Sequence, residues 1–242
     1  MSNIEDDGPT STGKIADERS TYAHFLPSSV LGKFEIFSYR NAVPILANSF
    51  PEQFSEVSEA LEQFEISETM IRKPGGNKGP IAHYVDTLFG SGWRETRVTA
   101  DLHVKLLNAA KKSKPEVFEE YTREGYLDGH RIDFVNGKVA IDFEWNSKDQ
   151  TYDRDLYAFS AFYGAGAISL GVILTRGLSL NTEYFRGLGK VLKADGSEGA
   201  ADVYKKFGAS TTGMGKLLYR LDAGRNGGCP VIAVGITPAC VK

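Results

Sequence analysis

The chain has 242 residues, 41% of them hydrophobic and 24% charged, with a formal net charge of −3. That is an ordinary globular composition, long enough for one large domain or two small ones. The mild acidity excludes a protein that coats nucleic acid nonspecifically but leaves room for a local basic face. No apolar run reaches the roughly 18 residues that a membrane span needs. The N-terminus carries no basic-then-apolar leader, so a cytoplasmic protein is expected.

Residues 1–21 are rich in Ser, Thr, Asp and Glu and read as a flexible tail. No domain boundary is visible after it, so 22–242 is expected to be one domain. Ser49-Phe50-Pro51-Glu52 has the form of a capping box. Phe54, Val57, Leu61 and Phe64 follow at helical spacing, which predicts a helix over 50–66. Lys73 to Pro80 is broken by Gly and Pro and must be a loop. Bare backbone N–H groups beside lysines suit phosphate, so Lys73, Asn77 and Lys78 are candidate DNA contacts; a plain connector is the alternative. The loop is not a P-loop, because G-x-x-x-x-G-K-[ST] is absent. Trp93 to Val104 alternates weakly as a strand. Lys111 and Lys112 form a basic cluster that can serve as a phosphate contact or a solvated face. Glu116 to Glu124 reads as an acidic helix.

The most informative stretch follows. Asn136-Gly137 between two apolar-rich runs is a strong hairpin signal. With these two as a type I′ turn, Val135 pairs with Lys138, Asp133 with Ala140 and Arg131 with Asp142. Residues two apart share a face, and so do cross-strand partners. Asp133, Asp142 and Glu144 then point one way, and Ile132, Phe134, Val139, Ile141, Phe143 and Trp145 the other, toward a core. Clustered acids resist ionisation unless a cation sits among them, and oxygen ligands with phosphate completing the shell suit Mg²⁺. The alternative is a solvated strand face with an Arg131–Asp142 pair.

Asp149 to Tyr163 carries a helical stripe of Leu156, Phe159, Phe162 and Tyr163. Ala167 to Leu174 is an apolar run typical of a strand buried on both faces. Strand, turn, strand, helix, strand makes the last pair parallel with a right-handed crossover. A helix over about 211–222 and a buried strand over 230–236 complete the chain. Between them Arg225-Asn226 sits in a Gly-rich loop; Arg on guanine and Asn on adenine are the usual bidentate readers. Cys229 and Cys240 are expected as reduced, buried thiols. His24, His83, His103 and His130 form no triad with Ser or Cys, which leaves nucleophilic hydrolysis without support.

Three segments resemble the PD-(D/E)XK nuclease superfamily, and within it type II restriction endonucleases of the BglII kind. They are Gly129-His-Arg-Ile-Asp-Phe134, Val139-Ala-Ile-Asp-Phe-Glu-Trp-Asn146 and Gly166-Ala-Ile-Ser-Leu-Gly-Val-Ile173. The resemblance implies an α/β fold, a mixed β-sheet flanked by helices. It implies Mg²⁺-dependent, sequence-specific cleavage of double-stranded DNA, with Asp133, Asp142 and Glu144 catalytic. The metal would be held by Asp133, Asp142, Glu144 and the Phe143 carbonyl. It also implies a homodimer on a palindromic site in a prokaryotic cytoplasm. Glu144 departs from the pattern, since this position usually holds Lys; Glu can ligate a second ion or orient water instead. Rival readings are a repair or junction nuclease on the same core and a DNA-binding protein with a degenerate acidic face.

Overall fold

The computed structural model describes residues 9–74, 79–108 and 114–242. Ser28–Lys33 forms α1, Phe34–Tyr39 β1, Ala42–Ser49 α2, Pro51–Gln63 α3, Glu68–Arg72 α4 and Pro80–Leu88 α5. A long two-stranded ribbon follows, β2 (Arg94–Leu107) and β3 (Val117–Asn136), then β4 (Val139–Glu144), α6 (Thr151–Gly164) and β5 (Leu170–Arg176). The chain continues through α7 (Thr182–Gly187), the small pair β6 (Lys190–Leu192) and β7 (Glu198–Asp202), α8 (Met214–Asp222) and β8 (Val231–Ile236).

Six strands form one mixed sheet in the order β1-β8-β5-β4-β3-β2. β4, β5 and β8 run parallel in its middle, while β1, β3 and the outer β2 are antiparallel to their neighbours. The central strands are apolar on both sides because both sides are covered. Val139, Ile141, Leu170, Val172, Leu174, Ile232 and Val234 face one core, which is filled by α2, α3, α4 and α5. Ala140, Ile173, Val231 and Ala233 face a second core under α6 and α8. The expected strand–turn–strand–helix–strand unit is present, with β4 parallel to β5. Cys229 and Cys240 are free and buried.

Several expectations are corrected. Ser49 ends α2 and does not cap the next helix; Phe50 is the N-cap of α3 without a side-chain bond, and Pro51 opens the helix with its preset φ. Residues 116–124 belong to strand β3 and its approach, not to a helix. Glu120 there pairs across the ribbon with His103 at 2.8 Å and Lys105 at 3.6 Å, so cross-strand charge replaces helical spacing. The N-terminal segment is tied down from Ser11 onward. Ser11 Oγ and the Lys14 and Ile15 amides donate to Asp222, and Ser38 Oγ donates to Asp17. No helix among the described residues is long and apolar enough to cross a membrane.

Candidate active site

The hairpin turns one residue later than its sequence suggests, which moves every cross-strand partner by two. Phe134 pairs with Ile141, Val135 with Ala140 and Asn136 with Val139, leaving Gly137-Lys138 as the turn. Gly137 alone takes a positive φ, 59°, which at the first central position is the type II′ pattern. Asn136 stays in the strand, where its side-chain amide donates to Glu56 and anchors the hairpin to α3. A register slip of two residues preserves parity, so the misplaced turn by itself moves no side chain to the other face.

The corrected register brings Asp133 directly opposite Asp142. The β3–β4 ladder stops one pair earlier, and the two carboxylates replace it. The Asp133 amide donates to Asp142 Oδ1 at 2.9 Å, and the Phe143 amide donates to Asp133 Oδ2 at 3.1 Å. On its other edge β3 has an extra residue between Ile132 and Val135 relative to β2. Such a bulge re-aims a side chain. It turns Ile132 away from the core expected for it and into the one beneath α6.

α6 then closes over the acids. Asp142, Glu144 and Asp155 are 4%, 7% and 1% exposed, while Asp133 stands open at the rim. Arg154 is the cation in their midst, 2.9 Å from Asp155 and 3.6 Å from Glu144. Tyr152 and Thr175 bond to each other at 2.6 Å, and Thr175 Oγ1 donates to the Glu144 carbonyl at 2.7 Å, fixing the end of β4. Burial raises the pKa of all four carboxyls. In Asp142 the charges of Asp155 and Asp133 add to it, and the shift is large. Asp155 is pushed up to about 7 by burial and then by Glu144. Glu144 and Asp133 rise less, because Ser147 and Arg154 favour the Glu144 charge, and the Phe143 amide and Arg154 that of Asp133.

The oxygen atoms left over fit a hard cation. Asp142 Oδ2, Glu144 Oε2, Asn146 Oδ1 and Asp155 Oδ2 are buried without a hydrogen-bond partner among the described residues. Such orphans cost about 1–3 kcal/mol each, and their clustering on one strand end and one helix is the donor chemistry of Mg²⁺. Among the described residues no three His, Cys, Asp or Glu side chains form a ready-made cage. A site that takes one or two carboxylates and completes its shell with substrate phosphate needs none.

A cleft of about 540 Å³ opens beside the acids, lined by Asp133, Glu144 and Asn146 on one side and Lys73, Pro80 and Lys206 on the other. Of the loop expected to contact DNA, Lys73 and Pro74 line this cleft. Lys206 Nζ donates to the Ile71 carbonyl at 2.6 Å, and burial lowers its pKa to about 8. Asn77, Lys78, Lys111 and Lys112 lie outside the described residues. Arg225 is held by Asp153 of α6 and lies over the Tyr219 ring. Asn226 is 2% exposed and donates its amide to the Cys229 carbonyl at 2.6 Å, an arrangement that organises its own loop and presents nothing to a base edge. Sequence reasoning missed Arg154 and Asp155. The available signal was an acid inside an apolar helical stripe: Asp155 falls between Tyr152 and Phe159, three and four residues away.

The model of the restriction endonuclease BglII/BglIII family matches residues 34–236. Those limits are the first residue of β1 and the last of β8, so the match spans the whole central sheet and both carboxylate-bearing strands. No curated protein sequence matches the chain. With the family model covering most of its length, the chain belongs to the BglII/BglIII restriction endonuclease family.

Proposed function

We propose that the protein is a type II restriction endonuclease that hydrolyses phosphodiester bonds of double-stranded DNA, sequence-specifically and with Mg²⁺. The observation that carries the metal reading is the set of buried, partnerless oxygens on Asp142, Glu144, Asn146 and Asp155. Asp133, Asp142, Glu144 and the Phe143 carbonyl would hold the ion. When bound, the ion would lower the pKa of a water and offset charge growing on the phosphate.

The chain's own residues do the rest. Asp133 and Asp142 brace the β3–β4 fork and keep their carboxylates in register. Glu144 orients the attacking water by accepting its hydrogen bond. Asp155, whose proton affinity is raised by burial and by the Glu144 charge, can take up a proton as the water loses it. Arg154 offsets the negative charge of the group, and Lys73 and Lys206 face the DNA phosphate across the cleft. Two copies related by a two-fold axis would match a palindromic site; Lys78, Asn77, Lys111, Lys112 and Arg225 remain proposed DNA contacts.

Asp142→Asn tests this. Cleavage of plasmid DNA with Mg²⁺ should vanish, while a gel-shift assay with Ca²⁺ should still show binding. An Asn variant that cuts at the wild-type rate would overturn the assignment. A discrete fragment pattern on DNA of known sequence supports a restriction enzyme; cutting only at junctions or damage supports the repair alternative.

A further inference from the structure

A second cleft, of about 420 Å³, opens where β5 ends and α8 begins. Its lining includes Lys14, Arg176 and Lys216 and no described Asp or Glu. Arg176 is 7% exposed. Taking a cation out of water costs several kcal/mol unless an anion accompanies it. Among the described residues Arg176 finds only neutral oxygens. Its Nε donates to the Trp145 carbonyl at 2.9 Å, and its Nη2 to Thr211 Oγ1 at 2.9 Å and to the Thr212 carbonyl. The Nη1 donors take part in none of these bonds, and the guanidinium is held over the Phe207 ring, 4.8 Å from its centre.

Two further observations converge here. Thr212 lines the same cleft, is fully buried, and its hydroxyl meets no partner among the described residues. α8 begins at Met214 with Gly213 as an N-cap that has no side chain to offer, so its first amides present the positive end of the helix to the cleft. A rigid fork, a spare hydroxyl and an uncapped helix start are complementary to a tetrahedral oxyanion.

We propose that this cleft is a phosphate-binding site, distinct from the carboxylate cluster, with Arg176, Thr212 and the first turn of α8 as its donors. Its position suits a backbone phosphate of bound DNA: Arg176 touches the Trp145 carbonyl, one residue beyond Glu144, and Thr175 is the cross-strand neighbour of Glu144. Only the choice of DNA as the source of the phosphate rests on the function proposed above.

The test is a thermal-shift titration of the metal-free protein with inorganic phosphate against chloride of equal ionic strength. Phosphate should raise the wild-type Tm. Thr212→Val should raise the Tm without phosphate, since a buried partnerless hydroxyl is removed, and should shrink the phosphate shift several-fold. Arg176→Lys, which keeps the charge but removes the fork, should shrink it as well. A wild type indifferent to phosphate, or variants that respond like the wild type, would overturn the site. A gel-shift salt series then separates the sources. If DNA supplies the phosphate, Arg176→Gln should lower the slope of log K against log salt by about 0.9, the value for one phosphate. An unchanged slope with phosphate protection abolished assigns the site to the free anion. Wild-type protein that binds no DNA yet is protected by phosphate overturns the DNA reading and leaves this site standing.

Discussion

At the scale of single residues, the carboxylate cluster makes two predictions. Glu144→Lys would install the residue usual at this position of the nuclease motif that the sequence resembles, yet it should lower the rate at least about a hundredfold, about 2.7 kcal/mol of barrier. Arg154 already stands 3.6 Å from Glu144, so the new ammonium would meet a guanidinium where the proposed site needs a ligand. Glu144→Gln should keep more activity, because its amide oxygen still accepts or ligates. Single-turnover rates at saturating Mg²⁺ decide between them, and full activity in Glu144→Ala would reduce this carboxylate to a strand-face residue. The second prediction concerns pH. Asp155 holds its proton up to about 7 in the folded protein, whereas the unfolded chain releases it near the ordinary aspartate value. The folded state thus binds more protons across that interval, so metal-free stability falls as pH rises through it, by up to about 1.4 kcal/mol per pH unit for each proton held. Below the ordinary aspartate value the contribution is complete, and above pH 7 it is gone. Asp155→Asn should flatten the decline in Tm between about pH 4 and 8, and Ca²⁺ should flatten it in the wild type. Parallel curves for wild type and variant would show that Asp155 is not the group retaining the proton.

At the scale of elements, what places Arg154 and Asp155 is how closely α6 lies on the sheet. A Cβ on Gly171 of β5 would come within 2.2 Å of the Phe159 ring on α6. The clash is with the rigid body of a buried aromatic, so Gly171→Ala must push the helix outward or turn the ring. Overpacking of this kind costs about 1–3 kcal/mol. The variant should show a lower urea midpoint and, because α6 carries two groups of the acid cluster, weaker Ca²⁺ binding by calorimetry. A variant that changes in neither respect would mean that α6 has slack over β5. The β2–β3 ribbon is the contrasting element. Its inner part completes the sheet beside β4, while Leu106, Leu107, Phe118 and Tyr121 in its outer part are exposed.

At the scale of the whole molecule, a net charge of −3 has to coexist with DNA binding, which calls for local basic groups. Acids gather beneath α6, while Lys73 and Lys206 face them across one cleft and Arg176 and Lys216 line another. Binding should therefore be strongly salt-dependent. Replacing Lys111 or Lys112 with Ala should weaken specific and random duplexes alike and reduce the salt slope by about 0.9 for each phosphate left unneutralised. Affinity and slope that stay at wild-type values on both duplexes would remove these lysines from the interface.

The sequence by itself determined the β3–turn–β4–α6–β5 order, and its resemblance to known nucleases pointed to the family. The order follows from local patterns: an Asn-Gly punctuated hairpin, strand alternation and a continuous apolar run. A turn misplaced by one residue left the strand pairing antiparallel and its parity unchanged, because it slips the register by two. β1 also alternates, with Phe34 and Ile36 buried and Glu35 not, but six residues between helices are too short a signal to stand out. Only the tertiary structure decided the rest. Whether Glu116 to Glu124 was helix or strand depended on a partner strand across the ribbon. That Asn226 is buried depended on the Cys229 carbonyl it meets. Asp155 and Arg154 joined the site because α6 packs on β3 and β5, and Arg176 met Thr212 because β5 ends beside the start of α8. Burial, unmet hydrogen bonds and shifted proton affinities are properties of groups brought together from distant parts of the chain, and no local spacing encodes them.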